Sequence, residues 1–208
     1  MTMKDKLISS AIRVFSKSGY RDGKVAEIVR GAKANIAAVN YYFGSKEKLF
    51  TQVLRKAFAV AEQSHPISGK LPKNAPVEQK LAAFARAIVS RTLDKGTAGD
   101  YNRIMSMTLH SPGSPIDTIC AEVTTLQVEP LMPLLVEYLG AADEQTYAVA
   151  TLNFLSLAAI VAKHPFVMGK IFGDDPAKET LDAFIEQQVT AILAATKSLA
   201  VKELSHSI

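Results

Sequence analysis

Residues 24–50 read KVAEIVRGAKANIAAVNYYFGSKEKLF, and their spacing decides the fold. Val25, Ile28, Val29 and Ala32 fall at i, i+3, i+4 and i+7, the repeat of one helix face, and the run is interrupted after about two turns. Asn35 is a good N-cap and opens a second short helix whose apolar residues are Ile36, Val39 and Phe43. Gly44 stops it. Ser45 then caps a longer helix, on which Leu49, Phe50, Val53, Leu54, Ala57 and Ala61 repeat to about Gln63.

Two short helices with a tight connection at Lys33 and Ala34 give the outline of a helix-turn-helix, whose second helix lies in the major groove of DNA. With residues 36–43 placed at 100° intervals, Ile36, Val39 and Phe43 cluster in an arc about 60° wide and are expected to face inward. Tyr41 points almost opposite, with Ala37 and Ala38 on either side and Asn40 and Tyr42 at the flanks. A solvated helix face usually shows Lys, Glu or Gln, so this composition is a poor water-facing surface and a sensible groove-facing one. Alanines permit close approach and can touch thymine methyls. An amide can pair with adenine, and tyrosine hydroxyls can reach phosphate oxygens. Packing of the tyrosines on a neighbouring helix is the competing reading.

The Gly44-Ser45-Lys46 step adds a phosphate device. An N-cap serine leaves backbone N–H groups at the positive end of the next helix, and Lys46 adds a full charge there, which makes Lys46 the expected phosphate contact.

Charge supports the same division. Residues 1–63 hold 12 Lys and Arg against 5 Asp and Glu, a net +7, while residues 64–208 hold 12 against 15, a net −3. The overall +4 therefore conceals a basic first third, suited to a polyanion. The single cysteine, Cys120, can form no internal bridge, which suits a reducing cytoplasm. The N-terminus lacks the pattern of an export signal. The most apolar segment, residues 148–162, is shorter than the roughly 20 residues of a membrane span and reads as a buried helix.

The first helix shows Leu7, Ala11, Val14 and Phe15 on one face, with Thr2 and Asp5 at capping-box spacing and Gly19 after its expected end. Residues 64–76, with three prolines and a glycine, read as a linker or long loop. Helical segments follow at about 77–95, 100–110, 116–138, 144–164 and 177–200. Pro130 and Pro133 predict a kink or break in the third of these. Helix 144–162, apolar on nearly all sides, and the stripe Leu181, Phe184, Ile185, Gln188, Ile192 and Ala195 on the last helix point to a dimer interface. A monomer core is the plainer alternative.

The stretch 24–50, with its YYFGSKEKL core and a first helix ending at Gly19-Tyr20, resembles the DNA-binding signature of the TetR/AcrR family of bacterial transcriptional regulators. The similarity covers about residues 5–55. More weakly, SPGSPIDTICAEV, the following PLMPLL and the closing helix are similar to the CecR-type subgroup. The resemblance implies an all-α homodimer. Its N-terminal three-helix helix-turn-helix domain, with the connecting helix, would occupy residues 1–63. A larger helical effector-binding and dimerisation domain would occupy residues 77–208. Two departures stand out: Lys33 replaces the turn glycine, at about 1 kcal/mol if its φ is positive, and Gly23-Lys24 replaces a hydroxyl cap. Asn40 stands where tyrosine is commoner.

The expected DNA contacts are therefore Lys24, Lys33, Asn35, Ala37, Ala38, Asn40, Tyr41, Tyr42 and Lys46, on a double-stranded operator. Apolar and aromatic residues of the middle helices, Phe84, Tyr101, Met105, Leu109, Phe154 and Phe166, with His110 as a polar anchor, are candidates for a small-molecule effector site. Ordinary core packing is the competing reading for each. Scattered histidines, no metal-ligand spacing and no phosphate-binding glycine loop argue against an enzyme, a metal or a cofactor. The expectation is a ligand-responsive repressor. The alternative is a helical small-ligand-binding protein with weak or partner-dependent DNA binding.

Overall fold

The structure is a computed structural model that describes residues 1–200 apart from 110, 164 and 174, with backbone alone at 161–163 and 165–167. The described residues are helical throughout their regular structure and fall into two compact units. One comprises Met1–His65 with Arg91–Leu126, the other Pro66–Ser90 with the described residues from Gln127 onward.

In the first unit, α1 spans Met3–Asp22 and begins with the expected capping box: Asp5 N–H donates to Thr2 Oγ1 at 3.2 Å and Thr2 N–H to Asp5 Oδ2 at 2.9 Å. The helix does not stop at Gly19. It passes through that residue in a left-handed conformation, φ 68°, and resumes to Asp22. The bend brings Gly19 against the Met107 carbonyl, where a Cβ would stand 2.6 Å from the oxygen, so only glycine fits. Helix α2 spans Val25–Ala32, α3 Ile36–Phe43 and α4 Lys46–Ser64. Helix α2 lies close on α1, since a Cβ on Gly31 would stand 2.3 Å from the buried Ser10 hydroxyl.

Helix α6, Asp100–Leu109, and α7, Ile116–Val123, complete this unit. Its core joins Leu7, Ala11 and Phe15 of α1 to Ile28, Val39, Phe50 and Leu54, and from α6 and α7 to Tyr101, Ile104 and Ile119. Phe15 meets Phe50 edge-on at 5.3 Å, and Tyr20 meets Phe50 at 5.0 Å. The hydrophobic periodicity read from the sequence is thus satisfied from two sides, because α1 packs against α2 and α4 and also against α6.

Two ion pairs hold α4. Arg55 donates to both carboxylate oxygens of Glu122 at 2.9 and 2.8 Å, and Glu122 is buried. Arg91, at the end of α5 (Val77–Leu93), is 2% exposed; it donates to the His65 carbonyl at 2.9 and 2.6 Å and to Glu62, with its guanidinium 4.9 Å from the Phe58 ring centre. Burial pushes the Arg91 guanidinium below its usual range, while Glu62 opposes that shift.

The second unit contains the first turns of α5 with α8 (Glu129–Leu139), α9 (Glu144–Lys163), α10 (Pro165–Phe172) and α11 (Lys178–Lys197). Helix α9 packs on α8 and α11, burying Ala150, Phe154 and Ala158. Phe154 meets Phe84 of α5 edge-on at 5.8 Å, and Arg86 of α5 grips Glu186 of α11 with two bonds at 2.6 and 2.7 Å. The break expected near Pro130 takes the form of a π-helical turn at Thr124–Val128, immediately before Pro130 removes an N–H from the first turn of α8. The run Ile116–Leu139 is long and apolar enough by composition to cross a membrane, with mean hydropathy 1.3, yet it carries Asp117, Glu122, Glu129 and Glu137. Helix α10 was not expected from the sequence, where its eight residues follow α9 too closely to register as a separate period.

Candidate nucleic-acid interface

The turn between α2 and α3 is built from backbone bonds. Lys33 N–H donates to the Arg30 carbonyl at 3.1 Å and Ala34 N–H to the Val29 carbonyl at 2.8 Å, which closes the C-terminus of α2. This closure demands a left-handed residue, and Lys33 adopts it at φ 55°, ψ 45°. The strain foreseen for a lysine in the glycine position is present, about 1 kcal/mol. At the other end of α2, Lys24 occupies the N-cap and provides no side-chain hydrogen bond.

Asn35 caps α3 as expected, its Oδ1 accepting from Ala38 N–H at 3.0 Å. Val39 and Phe43 are buried and pin the helix to the core. Ile36 corrects the sequence reading: it is 59% exposed, although the helical wheel placed it inward. It is the first helical residue, and a Cα–Cβ bond tilted toward the N-terminus carries its side chain past the end of the helix and off the core. Exposure of the remaining face agrees with the wheel. Ala37 and Asn40 are exposed, Ala38 is half-buried, Tyr41 is 82% exposed and Tyr42 40% exposed. The two tyrosine rings meet edge-on at 4.9 Å. Beside them runs a groove of about 540 Å³ lined by Met3, Lys33, Ala34, Asn35, Ala37, Ala38, Tyr41 and Tyr42. Of the nine DNA contacts expected from the sequence, six line this one groove; Lys24 and Asn40 are exposed outside its lining.

Lys46 is placed differently from the expectation of a free phosphate ligand. Its ammonium donates to the Arg21 carbonyl at 3.2 Å and lies 4.7 Å from the Tyr20 ring centre and 5.9 Å from that of Phe15. Partial burial lowers its pKa, with Asp22 opposing. Lys46 thus ties the start of α4 to the end of α1. Ser45 caps α4 as expected, accepting from Lys48 N–H at 3.1 Å. Lys48 itself is exposed, as is Lys4 on α1, and sequence reasoning singled out neither. Nothing local marks them, because their relation to α3 exists only once α1 and α4 are folded beside it.

The candidate effector residues separate by unit. Tyr101 and Met105 are buried in the core of the first unit, where Tyr101 meets the Phe58 ring at 5.2 Å, and Leu109 is exposed. Phe84 and Phe154 pair in the second unit. His110 and the Phe166 side chain lie outside the described residues. In the second unit, two polar atoms missed by the sequence reading, the Tyr138 and Thr151 hydroxyls, are buried without a hydrogen-bond partner among the described residues. Burial raises the Tyr138 pKa, and the charge of Glu78 adds to the shift.

A short helix with an exposed groove-facing side, set by a tight turn on a second helix and braced by α1 and α4, defines a helix-turn-helix domain. Residues 7–53 match the family described as bacterial regulatory proteins, tetR family, so this domain is similar to the DNA-binding domain of that family. The HTH-type transcriptional repressor NicS of Pseudomonas putida is 43% identical over 61 residues, 29% of each chain, so the match spans less than a third of that relative. The fatty acid degradation regulator FadR from Bacillus halodurans has a TM-score of 0.67 at 18% identity, covering 91% of this chain and 97% of that one. A transcriptional regulator from Rhodococcus sp. Rha1 gives 0.64 at 20% identity, over 94% and 98%. At these identities the two structures show a shared fold.

Proposed function

We propose that the chain is a homodimeric, sequence-specific DNA-binding transcriptional regulator, a repressor released from its operator by a small-molecule effector. The observation that carries this reading is the outward face of α3, whose Ala37, Asn40, Tyr41 and Tyr42 are exposed beside a groove on a braced helix-turn-helix. In this reading Ile36, Ala37 and Ala38 approach base edges and thymine methyls, and Asn40 pairs with adenine. Tyr41 and Tyr42 reach the backbone, while Lys24, Lys33 and Asn35 bind flanking phosphates. Lys46 sets the α1–α4 junction through the Arg21 carbonyl and the Tyr20 ring.

The recognition role belongs to residues 1–63. Effector binding and dimerisation belong to residues 77–208, with residues 64–76 between them. Val149, Leu152 and Ile160 are exposed apolar residues on α9, and together with α11 they supply the surface for a second copy. Two recognition helices then enter successive major grooves about 34 Å apart. For the effector, the Phe84–Phe154 pair offers an apolar wall, and the unpartnered Tyr138 and Thr151 hydroxyls offer polar anchors. The effector favours a conformer in which α4, held through Arg55 and Glu62, tilts and spoils the operator spacing.

A second reading, a helical ligand-binding protein with weak DNA affinity, is favoured by the strained Lys33 and the uncapped start of α2. An anisotropy titration against the DNA upstream of its own gene and against unrelated DNA separates the two. The proposal expects preference for the upstream fragment and a steep fall in affinity with salt. Binding that is equal on both duplexes and insensitive to salt overturns it.

A further inference from the structure

Tyr42 separates the groove described above from a second, smaller one. This second groove encloses about 240 Å³ between the first turn of α1 and the first two turns of α4, and Lys4, Tyr42, Phe43, Lys48, Thr51 and Gln52 line it. Lys4 and Lys48 are both exposed. Neither has a carboxylate partner among the described residues; the Lys4 ammonium lies over the Phe43 ring, 5.9 Å from its centre. Lys56, one turn beyond Gln52, adds a third exposed cation and acts on Asp5, which the Thr2 cap already holds. The other nearby acid, Glu47, is engaged with Thr118.

Lys46 presents the opposite picture. Its ammonium is occupied by the Arg21 carbonyl and the Tyr20 ring. The charge free to meet a polyanion beside the recognition helix therefore sits one step further on, at Lys48, and across the groove at Lys4. We infer that the groove between α1 and α4 is a backbone-phosphate site of the DNA duplex, in which Lys4 and Lys48 clamp a phosphate flanking the segment read by α3. Lys46 positions α4 without making the primary phosphate contact. The occupant follows from the charge and from the place: the groove carries Lys4 and Lys48 with the polar Thr51 and Gln52, and it shares Tyr42 with the proposed base-reading face. The inference rests on the proposed DNA-binding function.

The test measures binding of the full-length protein to a mixed-sequence duplex and to the DNA upstream of its own gene, across a salt series. The wild type is compared with Lys4→Gln, Lys48→Gln, the double variant and Lys46→Gln, with thermal unfolding as a check on folding. Removing one cation that neutralises a phosphate lowers the magnitude of the log K–log salt slope by about 0.9. Each substitution removes two cations from the homodimer, so Lys4→Gln and Lys48→Gln should each lower the slope by about 1.8 and weaken both duplexes equally, by more than about tenfold near 0.1 M salt. The double variant should lower the slope by about 3.6, whereas Lys46→Gln should keep the wild-type slope. Wild-type slopes in both Lys4→Gln and Lys48→Gln, with a decrease in Lys46→Gln, overturn the phosphate assignment alone. A wild type that shows no salt-dependent binding to either duplex overturns the DNA-binding function itself.

Discussion

Lys33 is the residue at which this chain departs most clearly from low-energy backbone, and its consequence is measurable. The turn needs a left-handed residue to send Ala34 N–H back to the Val29 carbonyl, and a side chain there is strained. Lys33→Gly should raise stability by about 0.5–1 kcal/mol, the relief of strain being partly offset by greater freedom of the unfolded chain. Chemical denaturation reads this directly, and a lower midpoint would show that the lysine side chain contributes more than its backbone costs. Arg91 is the reverse case, a buried cation satisfied by Glu62 and the His65 carbonyl. Arg91→Met should destabilise by about 2–3 kcal/mol, less than for a fully buried pair because Glu62 keeps access to water. The need for a positive φ at residue 33 was legible in the sequence, since the motif defines the turn. The inward path of Lys46 was not, because the Phe15 and Tyr20 rings that receive it lie far away in the chain.

Among the elements, those with strong periodicity were readable and those shaped by neighbours were not. Helices α2, α3 and α4 start and stop near the residues expected from the sequence, with Asn35 and Ser45 capping α3 and α4. Helix α1 runs beyond Gly19 because a carbonyl from α6 approaches there, from most of a hundred residues away in the chain. The unfilled N-cap of α2 invites repair: Lys24→Ser should add about 0.5–1 kcal/mol of stability, seen as a higher unfolding midpoint, while removing one cation from the proposed DNA face. The exposed bridge from Arg86 on α5 to Glu186 on α11 should contribute no more than about 1 kcal/mol. The hydrogen bond from Arg86 holds the Glu186 carboxyl below its usual range, so the contribution is present above the ordinary carboxylate pKa and disappears as pH falls through the lowered one. The stability gap between wild type and Arg86→Met should close on acidification, and a gap that widens instead would contradict this assignment.

For the whole molecule, the division of charge was legible and the grouping of helices was not. The basic first third coincides with the helix-turn-helix, as the proposed binding of a polyanion requires of its cations. Residues 91–126 pack with the N-terminal helices through Tyr101, Ile104 and Ile119, which nothing in local composition announces. The surface proposed for a second copy exposes Leu152 at 67% on α9. Leu152→Glu should shift the protein toward a monomer in sedimentation and, without paired half-site binding, weaken its hold on the operator. The central claim is that the outward face of α3 reads DNA, and footprinting of the full-length protein on the DNA upstream of its gene tests it most directly. Wild-type protein should protect two segments one helical turn apart, about 34 Å, in a near-palindrome. Asn40→Ala/Tyr41→Ala, equally stable because both side chains are exposed, should abolish that protection. Protection that survives unchanged in the double variant would contradict the claim.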